Sequence, residues 1–300
     1  VDSQLMTDNR SLFTVHCSLF TDNCSLFTDN CSLFSVHCSL FTDGWTEIIV
    51  VDNASTDGSA QMVASDFPSV RLIANARNAG FTAANNQGMA VARGRYLLFL
   101  NPDTELQAGA LAAIVRYLDA QAEVGVVGAQ LLNPDGSAQS SRRRFPTLLT
   151  AICESTILQQ WFPRHRVLAR YYVLDRGDDE EQEVDWVTGA CFAVRREVIA
   201  QVGGFDEGFF MYSGELDWCR RIKDAGWRIV YLPSAQVIHH EGKSSEQVVP
   251  LRHIRFQASK VRYFRKHHGA LQAELLRAFL LLTYVYQLCE EGLKWLLGHQ

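Results

Sequence analysis

The chain is short of the features that would mark a nucleic-acid binder, a disulfide-stapled domain or a membrane-spanning protein. No block is strongly basic and the formal net charge is −5, which excludes a long phosphate-backbone footprint. Eight cysteines are present without a single C-x-x-C pair. Cys17, Cys24, Cys31 and Cys38 belong to a repeat, whereas Cys153, Cys191, Cys219 and Cys289 are scattered in apolar surroundings typical of buried thiols. A reducing, cytoplasmic setting is the economical reading. A basic start followed by a long apolar stretch, the mark of a signal peptide, is missing. The longest apolar stretch near the end, AFLLLTYVYQL at 278–288, is too short to span a bilayer. With LKWLL at 293–297 it makes either a helix lying on a membrane or a partner, or an ordinary core helix.

What is present is enough for a sizeable core: 300 residues, 47% apolar and 20% charged, the balance of a globular chain. The first 44 residues stand apart. SLFTVHC, SLFTDNC, SLFTDNC, SLFSVHC and SLFTD follow one another from Ser11 to Asp43 with a period of seven residues. Leucines at that spacing suggest a coiled coil, but Ser, Thr, Asn, Asp and Cys are weak helix formers and no Glu or Lys accompanies them. The genetic code accounts for the pattern better. TCACTGT written three times encodes SLFTVHC, because seven bases return to frame only after twenty-one. The segment 1–44 is therefore expected to be translated repeat DNA, irregular and without a selected fold.

From Glu47 onward, strands and helices alternate. EIIVVDN and RYLLFLNPD are near-continuous apolar runs of the kind buried on both faces of a sheet. VRLIAN at 70–75 and VGVVGAQLL at 124–132 read as further strands. Helices are expected at 59–66, 82–93, 109–121, 196–202 and 215–225, with two more after 251 divided at Gly269. This rhythm calls for an α/β fold whose mostly parallel sheet carries helices on both faces. Ligands of such sheets sit at the carboxyl ends of the strands, where Asp52 and Asp103 stand. The stretch 133–182 is less regular; its DRGDDEEQE run reads as a solvated loop and Arg142 to Arg144 as a loop that could steer an anion.

Taken in order, EIIVVDNASTDGS, NARNAGFTAANNQG, RYLLFLNPDTEL, VDWVTGACFAVRRE, GGFDEGFFMYSGELDWCRRIKDAGW and VIHHEGKSS resemble the family 2 glycosyltransferases. Among them the rhamnosyltransferase-like branch that builds bacterial surface polysaccharides is most similar. The resemblance spans roughly residues 45–268. It implies a GT-A fold with a catalytic region at 45–250, divided into a nucleotide half (45–132) and an acceptor half (183–245), and C-terminal helices at 251–300. It also implies a nucleoside diphosphate sugar donor such as dTDP-rhamnose, Mg2+ or Mn2+, inversion at the anomeric carbon, and a glycan or lipid-linked acceptor at the inner face of the plasma membrane. No nucleic acid is expected as a partner.

Carried over motif by motif, Asp52, Asn78, Gly80, Asn85 and Asp103 are implied to bind the nucleotide sugar. Asp103, with His239 or His240, is implied to hold the metal, Thr188, Gly189 and Ala190 to face the acceptor, and Glu215 to be the general base. Each has a plainer reading. Asp52 and Asp103 also suit turn caps, and the histidines suit structural roles. Glu215 and Asp217 are two residues apart and cannot share a helix face; one can enter the cleft while the other caps the helix or pairs with Arg221, so Asp217 is carried as a second catalytic candidate. Two departures from the family pattern stand out: Gly214 where an acid is usual, and repeat sequence where the first strand belongs. An inactive remnant is the alternative, because losing a central strand would leave backbone groups of both neighbours unpaired, unless a repeat segment such as SLFTV, with its strand-like residues, fills the slot.

Overall fold

The computed structural model describes residues 13–19, 46–154, 156–162, 165–240 and 249–296. The remainder of the repeat segment lies outside the described residues. Strand β1 (Phe13–Leu19) nevertheless comes from that segment. It runs parallel between β2 (Thr46–Asp52) and β4 (Tyr96–Leu100), pairing Leu19 with Asp52 and Phe13 with Tyr96. The central slot of the sheet is therefore taken by repeat sequence. Backbone pairing asks only for an extended, β-tolerant stretch, and FTVHCSL supplies Phe, Thr and Val.

The main sheet has nine strands, with β3 (Arg71–Ala74), β2, β1, β4, β10 (Cys191–Arg195), β6 (Val124–Leu132), β11 (Arg228–His239) and β5 (Thr104–Leu106) in spatial order; β8 (Gln182–Glu183) pairs the far end of β11. Strand β10 runs antiparallel to both neighbours. The alternating rhythm alone did not show that a later strand would enter between β4 and β6. β11 is parallel to β6, and β5 is antiparallel to β11.

Helices α1 (Ser59–Asp66), α2 (Phe81–Val91) and α3 (Ala110–Ala120) connect the early strands, and α7 (Arg196–Val202) and α8 (Gly214–Asp224) follow β10. Alternate side chains of the central strands serve two cores, as the period of two requires. Leu97 and Phe99 face Phe205, Trp218 and Ile222, whereas Tyr96 and Leu98 face Ile114 and Leu118 of α3. Phe99 stacks on Phe192 at 5.0 Å and meets the Trp218 ring edge-on at 5.5 Å.

The irregular stretch expected at 133–182 contains β7 (Arg142–Arg143), which pairs antiparallel with β9 (Trp186–Val187), and the short helices α4 (Leu148–Cys153), α5 (Ile157–Trp161) and α6 (Arg166–Tyr171). Its acidic run is not wholly a solvated loop: Asp178 pairs with the buried Arg142. The tail forms α9 (Val249–His267) and α10 (Ala270–Leu296), separated at Gly269 with φ +88°. No helix among the described residues is long and apolar enough to cross a membrane.

Candidate active site

A cavity of about 630 Å³ opens at the carboxyl ends of the sheet and is lined by Asn101, Pro102, Asp103, Thr188, Gly189, Ala190, Glu215 and His239, together with Phe81, Gln139, Arg143 and Tyr212. Three ladders bring these distant segments together. The antiparallel pairing of β10 with β4 ends with Asn101 donating its N–H to the Ala190 carbonyl at 2.9 Å. Antiparallel pairing of β5 with β11 sets His239 opposite Thr104, and His240 donates its N–H to the Asp103 carbonyl at 2.8 Å. The β7–β9 pair then places Thr188, whose N–H reaches the Ser141 carbonyl at 2.9 Å.

Asp103 is buried, and its Oδ1 lies 3.4 Å from Nε2 of His239. Gln139 fixes the histidine tautomer. Its amide nitrogen donates to the His239 carbonyl and to Asn133 Oδ1, both at 2.7 Å, so its Oε1 accepts from the His239 Nδ1–H at 2.9 Å. In the neutral imidazole the Nε2 lone pair then faces the Asp103 carboxylate, an arrangement that a cation between the two atoms would stabilise. One buried carboxylate and one imidazole suit a divalent transition ion better than Mg2+, whose shell is oxygen, with the other ligands coming from a diphosphate and water. Among the described residues no group of three acidic, His or Cys ligands exists, so such an ion would depend on the substrate for the rest of its shell. His240 takes the other direction along the strand and bonds Glu105 at 2.7 Å.

Glu215 enters the cavity from the first turn of α8. Burial pushes its carboxyl above the ordinary range, against the opposing pull of its own backbone N–H. A Cβ at Gly189 would stand 3.7 Å from the Glu215 carboxyl carbon and 3.3 Å from Phe81, so the glycine keeps the approach to Glu215 clear. Tyr212 and Ser213, just before the helix, hold left-handed φ values of +64° and +58°. Such conformations in non-glycine residues cost of order 1–3 kcal/mol each and cluster at functional sites. The Thr188 hydroxyl is buried without a hydrogen-bond partner among the described residues, which leaves it for a ligand. At Gly214 an added Cβ would meet Thr82 Cγ2 at 2.5 Å; the acid usual in this position has no room here.

Asp217 does not line the cavity. Its carboxylate is wholly buried and receives Lys266 at 2.8 Å, His267 at 2.7 Å and Arg221 at 3.0 Å. Burial pushes its pKa up, but those three donors outweigh it and hold the group at about 2. The residue therefore ties α8 to α9.

The residues that the resemblance implies for the nucleotide form a bonded shell of their own. Asp52 ends β2, buried, and accepts from Ser55 N–H at 3.2 Å and from the Ser55 hydroxyl. Asn53, a residue the sequence reading passed over, is fully buried. It accepts from Ala79 N–H at 2.9 Å and Asn75 at 3.1 Å and donates to the Gly80 carbonyl at 3.2 Å. Asn78 accepts from Gly80 N–H at 2.9 Å, and Asn85 braces the first turn of α2 through the Phe81 carbonyl at 2.7 Å. Gly80 has φ +89°, and a Cβ there would come 2.6 Å from the Phe210 carbonyl oxygen. Gly80→Ala is accordingly expected to cost roughly 1–3 kcal/mol through strain and overpacking, read as a lowered Tm with the loop before α8 displaced.

Gln139 and Arg143 were not singled out from sequence as cavity residues. Gln139 carries no motif signal at all; Arg143 lay inside a basic triplet whose members go to different places.

The sequence profile described as Glycosyl transferase family 2 matches residues 35–203, more than half of the chain. The chain is 33% identical over 215 residues to the N-acetylglucosaminyl-diphospho-decaprenol L-rhamnosyltransferase of Mycobacterium tuberculosis, covering 68% of this chain and 69% of that protein. It is 28% identical over 171 residues to the rhamnosyltransferase WbbL of Escherichia coli, covering 54% and 61%. Among solved structures it superposes on a mannosyltransferase of Pyrobaculum calidifontis, in complex with GDP-Man and Mn2+, with a TM-score of 0.57 at 19% identity, over 87% of this chain and 65% of that one. A similar match, TM-score 0.58 at 16% identity, is found to GalNAc-T7 with UDP, GalNAc and Mn2+, over 86% and 48%. The chain thus spans less than two thirds of both solved chains, and at these identities the likeness concerns the fold.

Proposed function

This chain belongs to glycosyl transferase family 2, and from that premise we propose that it transfers a sugar, with inversion, from a nucleoside diphosphate sugar to a glycan or lipid-linked acceptor. The observation that carries the reading is the convergence of Asp103, His239, Thr188–Ala190 and Glu215 on one cavity. The relatives that act as rhamnosyltransferases favour dTDP-rhamnose as donor.

In this reading Glu215 accepts the proton of the acceptor hydroxyl as its oxygen bonds to the anomeric carbon. The bond from that carbon to the diphosphate breaks on the opposite side, and the nucleoside diphosphate leaves with the electron pair. Attack from the face opposite the leaving group inverts the configuration. The raised pKa of Glu215 makes it a stronger base than a solvated carboxylate. Asp103 and His239 would hold Mg2+ or Mn2+, which when bound neutralises charge growing on the diphosphate. Asp52, Asn78, Gly80 and Asn85, ordered around Asn53, support the nucleotide side, and Thr188 and Gly189 shape the acceptor side. His240, bonded to Glu105, and Asp217, bonded to Arg221, Lys266 and His267, act by positioning. A peripheral membrane contact for a lipid-linked acceptor is supported by the exposed stripe Leu271, Leu275, Leu282 and Leu293 along one face of α10.

The direct test is metal-dependent binding of dTDP or UDP by calorimetry, followed by anomeric assignment of the product. Asp103→Ala is expected to weaken nucleotide binding in Mn2+ by tenfold or more, of the order known for losing a charge-assisted ligand, while leaving Tm within a few degrees. Equal affinity in the presence and absence of metal, for wild type and variant alike, would remove Asp103 from this role. A product with retained configuration would end the displacement mechanism.

A further inference from the structure

The basic triplet Arg142–Arg144 splits in a way its sequence does not announce. Alternation along β7 sends Arg142 into the interior, where it pairs with Asp178 at 2.5 Å, donates to the carbonyls of Arg176 and Gly177, and lies 4.8 Å over the Tyr231 ring. Arg144 pairs with Asp175 at 2.9 Å. Arg143 points the other way, into the cavity. Its guanidinium lies 4.6 Å over the Tyr172 ring, and its Nη1 donates to Ser140 Oγ at 2.7 Å and to the Arg142 carbonyl at 2.9 Å.

Among the described residues no carboxylate pairs with Arg143, and it is the sole permanent cation lining the cavity. Both of its fixed acceptors are neutral and both use the same nitrogen. The rest of the planar fork is held in place by an aromatic face with donors to spare. A guanidinium so oriented is suited to bidentate binding of phosphate oxygens.

Its position tells which phosphate. Arg143 pairs in the ladder with Trp186, and its neighbour Ser141 receives the N–H of Thr188, so it belongs to the Thr188–Ala190 wall. The nucleotide-side residues Asp52, Asn53, Asn78 and Asn85 do not line this cavity. Further positive charge lies on α9, where Arg255 stacks at 4.5 Å on Phe210, the residue before the cavity-lining Met211. Phe256 of the same helix completes the lining with an apolar surface.

We infer that Arg143 is the specificity-determining residue for an acceptor carrying a phosphate or diphosphate, gripping that group beside the sugar whose hydroxyl is glycosylated. The inference rests on the transferase reading above, and its test separates the two. The wild-type chain, Arg143→Gln and Arg143→Lys are titrated with dTDP and, separately, with a short-chain isoprenyl diphosphate. The expected result is isoprenyl diphosphate binding weakened about 10- to 100-fold in Arg143→Gln, the range for losing a charge-assisted pair, with dTDP affinity unchanged within about twofold. Arg143→Lys, a point charge without the fork, is expected to fall between. In transfer assays KM for a diphosphate-linked sugar should rise in Arg143→Gln while KM for the phosphate-free glycoside of the same sugar stays constant.

Failure of the wild type to bind the isoprenyl diphosphate, or equal binding by all three chains, would overturn the inference while leaving dTDP binding to judge the transferase reading. Weakened dTDP binding instead would assign Arg143 to the donor and overturn it equally. If Arg143→Gln does not fold, judged by its thermal transition, Arg143→Lys alone decides: undiminished isoprenyl diphosphate binding by that variant defeats the proposal.

Discussion

Glu215→Gln is expected to abolish most sugar transfer, lowering kcat about 100- to 10,000-fold as for other positioned general bases, with nucleotide affinity nearly unchanged. The amide keeps the shape of the side chain and its place beside Gly189 but accepts no proton. Only the step that needs the proton removed should suffer, so kcat falls and KM for the donor does not. The pH profile offers a second check. Burial raises the Glu215 pKa, and the base works only when ionised. Activity of the wild type should therefore fall with acid along a limb displaced above the ordinary glutamate value, and the residual activity of Glu215→Gln should lack that limb. A variant that retains wild-type kcat would remove Glu215 from the chemistry.

The second large effect concerns stability. Asp217→Asn takes the charge from a wholly buried carboxylate that Arg221, Lys266 and His267 all engage. Breaking a buried ion pair on one side typically costs roughly 3–5 kcal/mol, because the remaining charges are left uncompensated. The loss should appear in chemical or thermal unfolding, together with loosened packing of α9 on α8. Since α8 carries Glu215 in its first turn, kcat should drop as well, by less than in Glu215→Gln. The acid behaviour follows from linkage. The folded pKa of Asp217 is about 2 against 3.8 for the ordinary group, so its contribution is full above about pH 4 and disappears as pH falls toward 2. That contribution is about 2–3 kcal/mol, and Asp217→Asn should show a correspondingly flatter loss of stability across this acid window. Identical pH dependence in the two chains would count against this buried pairing of Asp217 with Arg221, Lys266 and His267.

Much of the fold could be read in advance because burial on both faces leaves a plain mark. Ile49 to Val51 and Tyr96 to Phe99 are apolar without alternation since each side chain meets a core. The helix break at Gly269 was equally visible, and so was the pairing of Asp217 with Arg221 as an alternative to a place in the cleft. The identity of the strand between β2 and β4 was not. Periodicity marked 1–44 as repeat sequence, and nothing in FTVHCSL distinguishes a strand in use from one merely permitted. Nor could the basic triplet be divided, because a two-residue strand is too short to declare its alternation.

By itself the sequence determined where acids stand at the ends of buried strands, because apolar runs and the polar residues closing them are local features of the chain. Only the tertiary structure decided which of those residues meet. The antiparallel entry of β10 joins Asn101 to Ala190, the β5–β11 ladder turns His239 toward Asp103 and His240 toward Glu105, and α9 draws Asp217 away from the cavity. Each of these outcomes depends on strand order, register or helix docking between residues as much as 136 positions apart, as His239 and Asp103 are, and pairing over such separations is set by the shared core, not by any neighbouring residue.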